Sequence, residues 1–502
     1  MVLKSSLISY TDIRFTDFIW KDRTHRWYLI SAVVLSIGVF LIFKQFYPNP
    51  NMVMDSYVYI RAMALHQSVN SYPIGYSRFL LLFSLLSRST TVLVWFQYLF
   101  LESACGYFFF TLLFFLRPGK WTQRILFAFL FLNPLFLYLA NFIMADTVFI
   151  ALSLLWFTQQ LHIIGRPKPY LFFVQAILLF LAFTIRYNAL YYPVISMLAI
   201  LLSRWNVRLK VAAIVWQFAL IGCFVAYTQA QMKNRTGVRQ FSPFGGWQLA
   251  NNALYMYGEV WQERQDPPPP RFFQVDSIVR LYFAHTPVRD QVLSYVYWST
   301  GSTYMGKPGT PLLRYMYWKE GPDTSFQDLK KWGSMGSYFG EYGSWLIHHY
   351  PLDYAHYFMF PNFCRYLVPP TEIFSAPSPY YLRDDELGQP AIQWFGLKSL
   401  AARPAYIEWR TELFSLAPVL MGLIQLGFLA GLIGFILFKG FRKVDRVNVF
   451  ILVIITCCWI CDLGFSVTAS PIVLRYRTFL LILEFAGMMV TMDFIKNFSS
   501  AD

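Results

Sequence analysis

Ten stretches of this 502-residue chain are apolar over membrane-spanning lengths: 27–43, 90–116, 123–140, 145–161, 170–185, 189–203, 210–228, 412–438, 447–466 and 472–494. About 20 apolar residues cross the roughly 30 Å of hydrocarbon in a bilayer. A segment there must satisfy its backbone hydrogen bonds internally, which leaves helices or closed barrels, and runs this long read as helices. The expected fold is therefore mainly α, a polytopic transmembrane helical bundle of about ten spans. Composition agrees, with 56% hydrophobic, 20% aromatic and only 14% charged residues. A formal charge of +15 would suit nucleic acid, but Lys and Arg cluster briefly between the apolar runs. That distribution points to membrane lipids as partners and to no nucleic acid. Of six cysteines, only Cys364 lies in an aqueous stretch, so no disulfide framework is expected. Cys457-Cys458-x-x-Cys461 reads as small residues packing between helices rather than as a metal motif.

Topology turns on residues 73–88, a short apolar stretch that starts at Pro73 and carries Arg78. As a helix it reaches only about 24 Å, so it is expected to lie at the interface. Leaving it out puts Arg117/Lys120/Arg124, Arg166/Lys168, Arg204/Arg208/Lys210 and Lys439/Arg442/Lys443/Arg446 on one side, with Lys21, Arg23 and Arg26. Counting it as a span would set the N-terminus against every later cluster, contrary to the positive-inside rule. Both termini are then expected to be cytoplasmic and Asp55 to be outside. The first run starts too late for a cleavable signal and reads as a signal anchor. Three parts follow: 1–228 with seven spans and a first outer loop at 44–89, an extracytoplasmic domain at 229–410, and 411–502 with three spans. Inside the domain, Pro267 to Pro270 form a stiff spacer, and helices are expected over 325–350 and 352–366.

Two acids stand where the first spans meet the outer face, Asp55 and Asp146. After Asp55, Tyr57, Ile60 and Ala64 recur at helical spacing, which predicts an amphipathic helix on the membrane surface. Asp55 can N-cap that helix, or present a carboxylate for chemistry; the two roles are compatible. Asp146 opens the fourth span on the same side, where the helix dipole also favours an acid. Arginines outside run against the positive-inside bias: Arg61, Arg78 and Arg88 in the first loop, Arg186 after the fifth span, Arg475 and Arg477 at the tenth. Their forks suit phosphate oxygens, and the phosphate natural to that depth is on a lipid. The alternative is snorkelling to headgroups or pairing with Asp462. Arg475 and Arg477 are two apart on a helix and cannot face one pocket, so Arg475 is favoured. Glu102 and Glu484, deep in spans, read as structural. His348 and His349 diverge on a helix, which disfavours a zinc pair. No nucleotide fingerprint is present, so an enzyme of this kind needs an activated donor that resides in the membrane.

In order and sidedness these residues resemble the GT-C superfamily of integral-membrane glycosyltransferases, nearest the branch of protein O-mannosyltransferases and lipid A aminoarabinose transferases. The likeness runs through Asp55, the Pro73-Ile74-Gly75-Tyr76 entry to an interfacial helix, Asp146, Arg186 and Arg475-Tyr476-Arg477. It covers the first 230 residues or so, and 229–410 matches in position only. Family members often carry a second acid beside the first-loop Asp; here Ser56 stands there.

The resemblance implies a GT-C-type bundle with interfacial helices in the first outer loop and an extracytoplasmic domain between spans seven and eight. It implies transfer of a hexosyl or pentosyl group from a polyprenyl-phosphate donor to a lipid, glycan or protein acceptor, with inversion. Asp55 would be the base, Asp146 a support near the acceptor, and Arg186, Arg475, Arg477 and Arg78 the donor-phosphate ligands. No cofactor is required; Asp55 and Asp146 could hold a divalent metal, but none is expected. A bacterial cytoplasmic membrane is favoured over the endoplasmic reticulum, where the Asn234-Arg235-Thr236 sequon would matter. The rival class is a lipid-linked saccharide flippase or transporter, which should line its path with polar groups through the middle of the bilayer. No inverted repeat of the transporter kind is apparent.

Overall fold

The computed structural model of the chain describes residues 13–286, 302–306, 309–321, 329–374, 388–397 and 404–499. Among the described residues all regular structure is helical, apart from one isolated backbone bridge between Asn51 and Phe142. Among the described residues eight helices are long and apolar enough to cross a membrane. They are α1 (Arg23–Phe46), α4 (Thr90–Leu116), α5 (Lys120–Ala140, interrupted before Pro134), α6 (Ala145–Gly165), α9 (Val207–Thr236), α15 (Glu408–Leu437), α16 (Arg446–Ala469) and α17 (Leu474–Phe498). The expected fifth and sixth spans are shorter apolar helices: α7 (Leu171–Ile185), and α8 (Tyr192–Leu202) extended backwards by a 3-10 turn from Tyr187. The protein is an integral, multi-pass membrane protein.

Burial separates the roles of these helices. Helix α6 is covered almost all round, whereas most of α1 and α9 faces outward. Their exposed side chains are apolar, such as Val33, Val34, Leu41 and Ile42 on α1 or Val211 and Val215 on α9, as lipid contact demands. Near the centre of α6, Leu154, Trp156 and Phe157 are fully buried, with Trp156 stacked on Tyr192 of α8 at 4.0 Å. Buried hydroxyls there are paired: Trp156 Nε1 donates to Ser196 Oγ (2.9 Å) and Tyr192 OH to Ser153 Oγ (2.7 Å).

Two short helices follow α1: α2 (Met54–Ala64) and α3 (Gly75–Ser84). Ten residues of helix span about 15 Å, so α3 does not cross a bilayer. Helix α2 is more covered than an amphipathic surface helix would be. Tyr57 and Ile60 are buried, but so are Tyr59 and Met63 on other faces, and the short helix Gln389–Phe395 packs against it.

The stretch between α9 and α15 folds around a second hydrophobic core. It comprises α10 (Pro243–Val260), α11 (Phe273–His285), α12 (Pro311–Glu320), α13 (Leu329–His349) and α14 (Phe360–Leu367). Residues 325–328 of the expected 325–350 helix lie outside the described residues. The expected 352–366 helix is split: one turn from Pro351, a π segment Ala355–Met359, then α14. Helix α9 runs on to Thr236, two turns past the end of its apolar run, before Gly237 ends it with a left-handed residue (φ 79°).

Glycines let α10 and α13 cross in backbone contact. A Cβ on Gly246 falls on the Gly336 carbonyl, and one on Gly343 comes within 2.6 Å of Ala250 N. Gly246→Ala must therefore prise the helices apart, at a cost of about 1–3 kcal/mol. A lowered melting temperature in purified protein is the expected result. Gly222→Ala on α9, where a Cβ meets nothing within 4 Å, should leave it unchanged.

Candidate active site

One backbone register brings the two first candidates together. Asn51 N donates to Asn141 O (2.8 Å) and Ile143 N to Asn51 O (3.2 Å), the parallel bridge of Asn51 with Phe142. Parallel pairing sets residues of equal offset side by side. Four residues beyond each partner stand Asp55 and Asp146, each the second residue of its helix, α2 and α6. Side chains reinforce the pairing, since Asn141 Nδ2 donates to Asn49 O (3.2 Å) and Lys44 Nζ to Asn141 Oδ1 (3.2 Å). Buried Gln97 on α4 locks the other flank. It accepts from Tyr76 OH (2.7 Å) and donates to Ala140 O (2.9 Å) and Phe142 O (3.2 Å).

Asp55 does not cap its helix. Val53 occupies the N-cap position, and its N–H donates to Ser56 Oγ (3.1 Å). Ser56 thus performs a capping function, and Asp55 is left to face elsewhere. Its carboxylate accepts from Tyr72 OH (3.0 Å) and lies 3.5 Å from Arg475 Nη1. Burial, and then the charge of Asp55, push the Tyr72 phenol well above its usual 10, so it stays a hydroxyl donor.

Arg475 is the second residue of α17 and holds the cluster together. Its Nη1 also reaches Asp146 Oδ2 (3.4 Å), while Nε and Nη2 clasp the two Glu372 oxygens at 2.8 and 3.2 Å. Arg186, in the extended residue ending α7, bonds Asp146 Oδ1 at 2.5 Å. Both guanidiniums lie 4.8 Å from the centre of one ring, that of Tyr476. Gly75 fixes the placing of Arg186, because a Cβ there would sit 2.5 Å from the Thr184 backbone, two residues before it. Three carboxylates therefore share two guanidiniums. Asp146 is clamped between both and only 4% exposed, whereas Asp55 is 28% exposed, the most accessible of the three acids.

Two cavities meet at Asp55. One, of about 480 Å³, is lined by Arg186, Arg475, Tyr476, Asn188 and the end of α16 from Phe465 to Ser470. The other, of about 250 Å³, is lined by Arg61, Gln67, Asn70, Met305 and Trp332. Asp55, Tyr72, Phe244 and Ser302 belong to both walls.

Two of the arginines expected here lie elsewhere. Arg477 points into the bundle, bonded to Asp462 Oδ2 (2.7 Å) and Glu484 Oε1 (2.5 Å) with its guanidinium over the Tyr366 ring. The i, i+2 spacing on α17 enforces this, and the alternative of pairing with Asp462 is the one it adopts. Arg78 on α3 donates to Gln67 O (2.9 Å) in the loop after α2, and lines neither cavity. Arg88 stacks on Trp394. Glu102 is bonded by Ser36 Oγ (3.3 Å) within the bundle.

Glu372 escaped the sequence reading. It stands 103 residues from its partner Arg475, two residues after Pro370, whose carbonyl accepts from Leu474 N (2.9 Å). Its backbone is left-handed (φ 49°), a conformation that costs a non-glycine residue on the order of 1 kcal/mol. Burial raises its pKa above the ordinary 4.5, although Arg475 pulls it back. Among the described residues no group of three or more His, Cys, Asp or Glu is arranged to hold a metal; the cation between these acids is a guanidinium.

No protein-family model, curated protein or solved structure matches the chain.

Arg477 offers a direct test of what the neighbouring buried network contributes. Arg477→Met strands Asp462 and Glu484 without a cation and should cost about 3–5 kcal/mol. A melt of the purified variant checks this. Adding Asp462→Asn and Glu484→Gln should recover most of the loss; no recovery would mean that packing, not charge, is the cause.

Proposed function

We propose that the chain is a glycosyltransferase, moving a sugar from a polyprenyl-phosphate carrier to a hydroxyl of a lipid, glycan or protein acceptor. The observation that carries this reading is the position of Asp55, an accessible carboxylate on the wall between a cavity lined by Arg186 and Arg475 and a second cavity that neither of them lines. The resemblance to GT-C enzymes, read from the same residues, points the same way.

The acceptor hydroxyl enters from the smaller cavity and attacks the anomeric carbon. Asp55 takes its proton as the new C–O bond forms. The bond from that carbon to the phosphate oxygen breaks on the opposite face, and its electron pair leaves with the lipid phosphate. Arg186 and Arg475 stabilise that charge. One displacement with one base inverts the anomeric centre. Asp146, clamped by both arginines, sets their positions rather than moving a proton. Glu372 holds the far edge of the Arg475 fork. Arg477 and Arg78 have no part in donor binding in this reading. Positive-inside bias orients the site outward, because Arg166, Lys168, Arg204 and Arg446 all lie at helix ends opposite Asp55.

Transport through the bundle is the weaker reading. Midway along α6 the side chains Leu154, Trp156 and Phe157 are fully buried and the hydroxyls of Ser153, Ser196 and Tyr192 beside them are already hydrogen-bonded, whereas a saccharide path would need polar groups open to it.

In cells deprived of the chromosomal copy, the sugar-loaded polyprenyl phosphate should accumulate, as read by mass analysis of extracted lipids. Asp55→Asn should fail to relieve that accumulation, with turnover down by about 10²–10⁴-fold and the melting temperature kept. Near wild-type turnover by purified Asp55→Asn would remove Asp55 as the base.

Glu372 adds a pH dependence. Its folded pKa lies above 4.5, so the folded chain takes up this proton more readily than the unfolded chain. Its contribution to stability is therefore full below the unfolded value and lost as pH rises through the folded one. Protonation also frees Arg475 for a ligand. Binding of a polyprenyl phosphodiester, whose own charge is constant from neutral to mildly acidic pH, should tighten as pH falls from neutral. Glu372→Gln should bind tightly throughout, with the slope gone; an unchanged slope would assign it to another group.

A further inference from the structure

A larger cavity, about 1240 Å³, opens at the other end of α6 from Asp146. The 21 residues of α6 put it about 30 Å away. Five cations line it, Arg14, Arg166, Lys168, Arg204 and Arg446, against the single carboxylate of Asp445. Arg14, Lys168, Arg204 and Arg446 have no ion-pair partner among the described residues. Ordinary positive-inside signals are scattered through loops, whereas these come from four separate links and converge on one hollow. Arg166 and Lys168 follow α6, Arg204 follows α8, Arg446 opens α16, and Arg14 precedes the short helix Phe15–Lys21.

The floor of the hollow is polar and incompletely satisfied. Gln159 and Asn448 are 9% and 8% exposed, and Gln159 Oε1 and Asn448 Oδ1 have no hydrogen-bond partner. The amide nitrogen of Gln159 is already used on Tyr107 OH (3.1 Å). A buried carbonyl oxygen without a donor is costly, so each is an acceptor waiting for an O–H or N–H. The cationic collar selects a phosphate; the floor selects a hydroxyl-bearing group beside it. Phe15, Leu171 and Val174 give one wall an apolar surface. The hollow also lies where apolar helices end, at the depth of lipid headgroups, and basic pockets between transmembrane helices are known to take anionic headgroups.

We propose that this cavity is a binding site for a hydroxyl-bearing phosphate ester, occupied by the headgroup of an anionic membrane lipid. The site is independent of the transfer reaction proposed above, and neither stands or falls with the other.

The test uses the full chain, purified and exchanged into nanodiscs of phosphatidylcholine doped with phosphatidylglycerol or phosphatidic acid, with retained lipid counted by native mass spectrometry. Phosphatidylglycerol should be retained at least about tenfold over phosphatidylcholine, and Lys168→Glu with Arg204→Glu should remove that preference. Both positions are exposed, so the fold is not at risk. Gln159→Leu should instead lose discrimination between phosphatidylglycerol and phosphatidic acid, which lacks the glycerol hydroxyls, while keeping that against phosphatidylcholine. Equal retention of all three lipids, or a charge-reversed double variant that behaves as wild type, overturns the proposal. Glycerol 1-phosphate in solution separates the sources. Failure to displace phosphatidylglycerol at millimolar concentration supports the lipid, and saturable binding of it without lipid preference overturns the membrane source.

Discussion

Carboxylates held close together repel unless a cation stays among them, so Asp55, Asp146 and Glu372 can occupy one end of this bundle only while Arg475 does. Each acid arrives on a different piece of chain, and so the shared guanidinium imposes conditions on all three. The start of α17 must be fixed, which Leu474 N achieves on Pro370 O. The turn before it must be fixed as well. Buried Asn362 on α14 does that, accepting from Ile472 N (2.9 Å) and donating to Val467 O and Ser470 O (both 2.9 Å). The stretch between α9 and α15 is thus no appendage: it positions the last helix and supplies one of the three acids.

The helix termini in the cluster do not all pull the same way. Asp55 and Asp146 lie in the first turns of α2 and α6, where the dipole favours negative charge. Arg475 lies in the first turn of α17, where the dipole opposes it. Three carboxylates offset that penalty when no ligand is bound. An anion placed between Arg475 and Arg186 would meet both guanidiniums and the positive end of α17 together, the usual recipe for holding a phosphate. The same arginines that hold the unliganded cluster of acids make the cavity of about 480 Å³ beside Asp55 a favourable place for a negative charge.

How much of this was legible beforehand follows from what each contact depends on. The apolar runs became helices because lipid-length hydrophobicity leaves little choice, and 73–88 became the short α3 because Pro73 and Arg78 limit it. Divergence of Arg475 from Arg477 followed from spacing alone. Asp55, Asp146, Arg186 and Arg475 converge at one end, as alternation of the runs allows. Glu372 was out of reach because nothing local marks it: a left-handed residue in a non-periodic stretch has no signature until its distant partner is placed. An acid two residues after Pro369-Pro370, shortly before the final spans, was the only cue. The Tyr72 hydroxyl and the capping role of Ser56 were similarly hidden, since the first depends on where Asp55 points and the second on Val53 taking the N-cap position.

Charge is divided between the two ends of the bundle. Around Asp55 three acids face two guanidiniums, while around Gln159 five cations face one acid. The separation of about 30 Å is several screening lengths at physiological ionic strength, so the two ends act on their ligands independently. Each end also sits where helices terminate, because that is where a membrane lets charge meet water and headgroups at modest cost. An acid-rich end whose arginines are already engaged demands a ligand that competes for them, and therefore one that can be exchanged. A basic end where Arg14, Lys168, Arg204 and Arg446 have no ion-pair partner among the described residues demands an anion that stays. On physical grounds the first suits a substrate and the second a resident lipid.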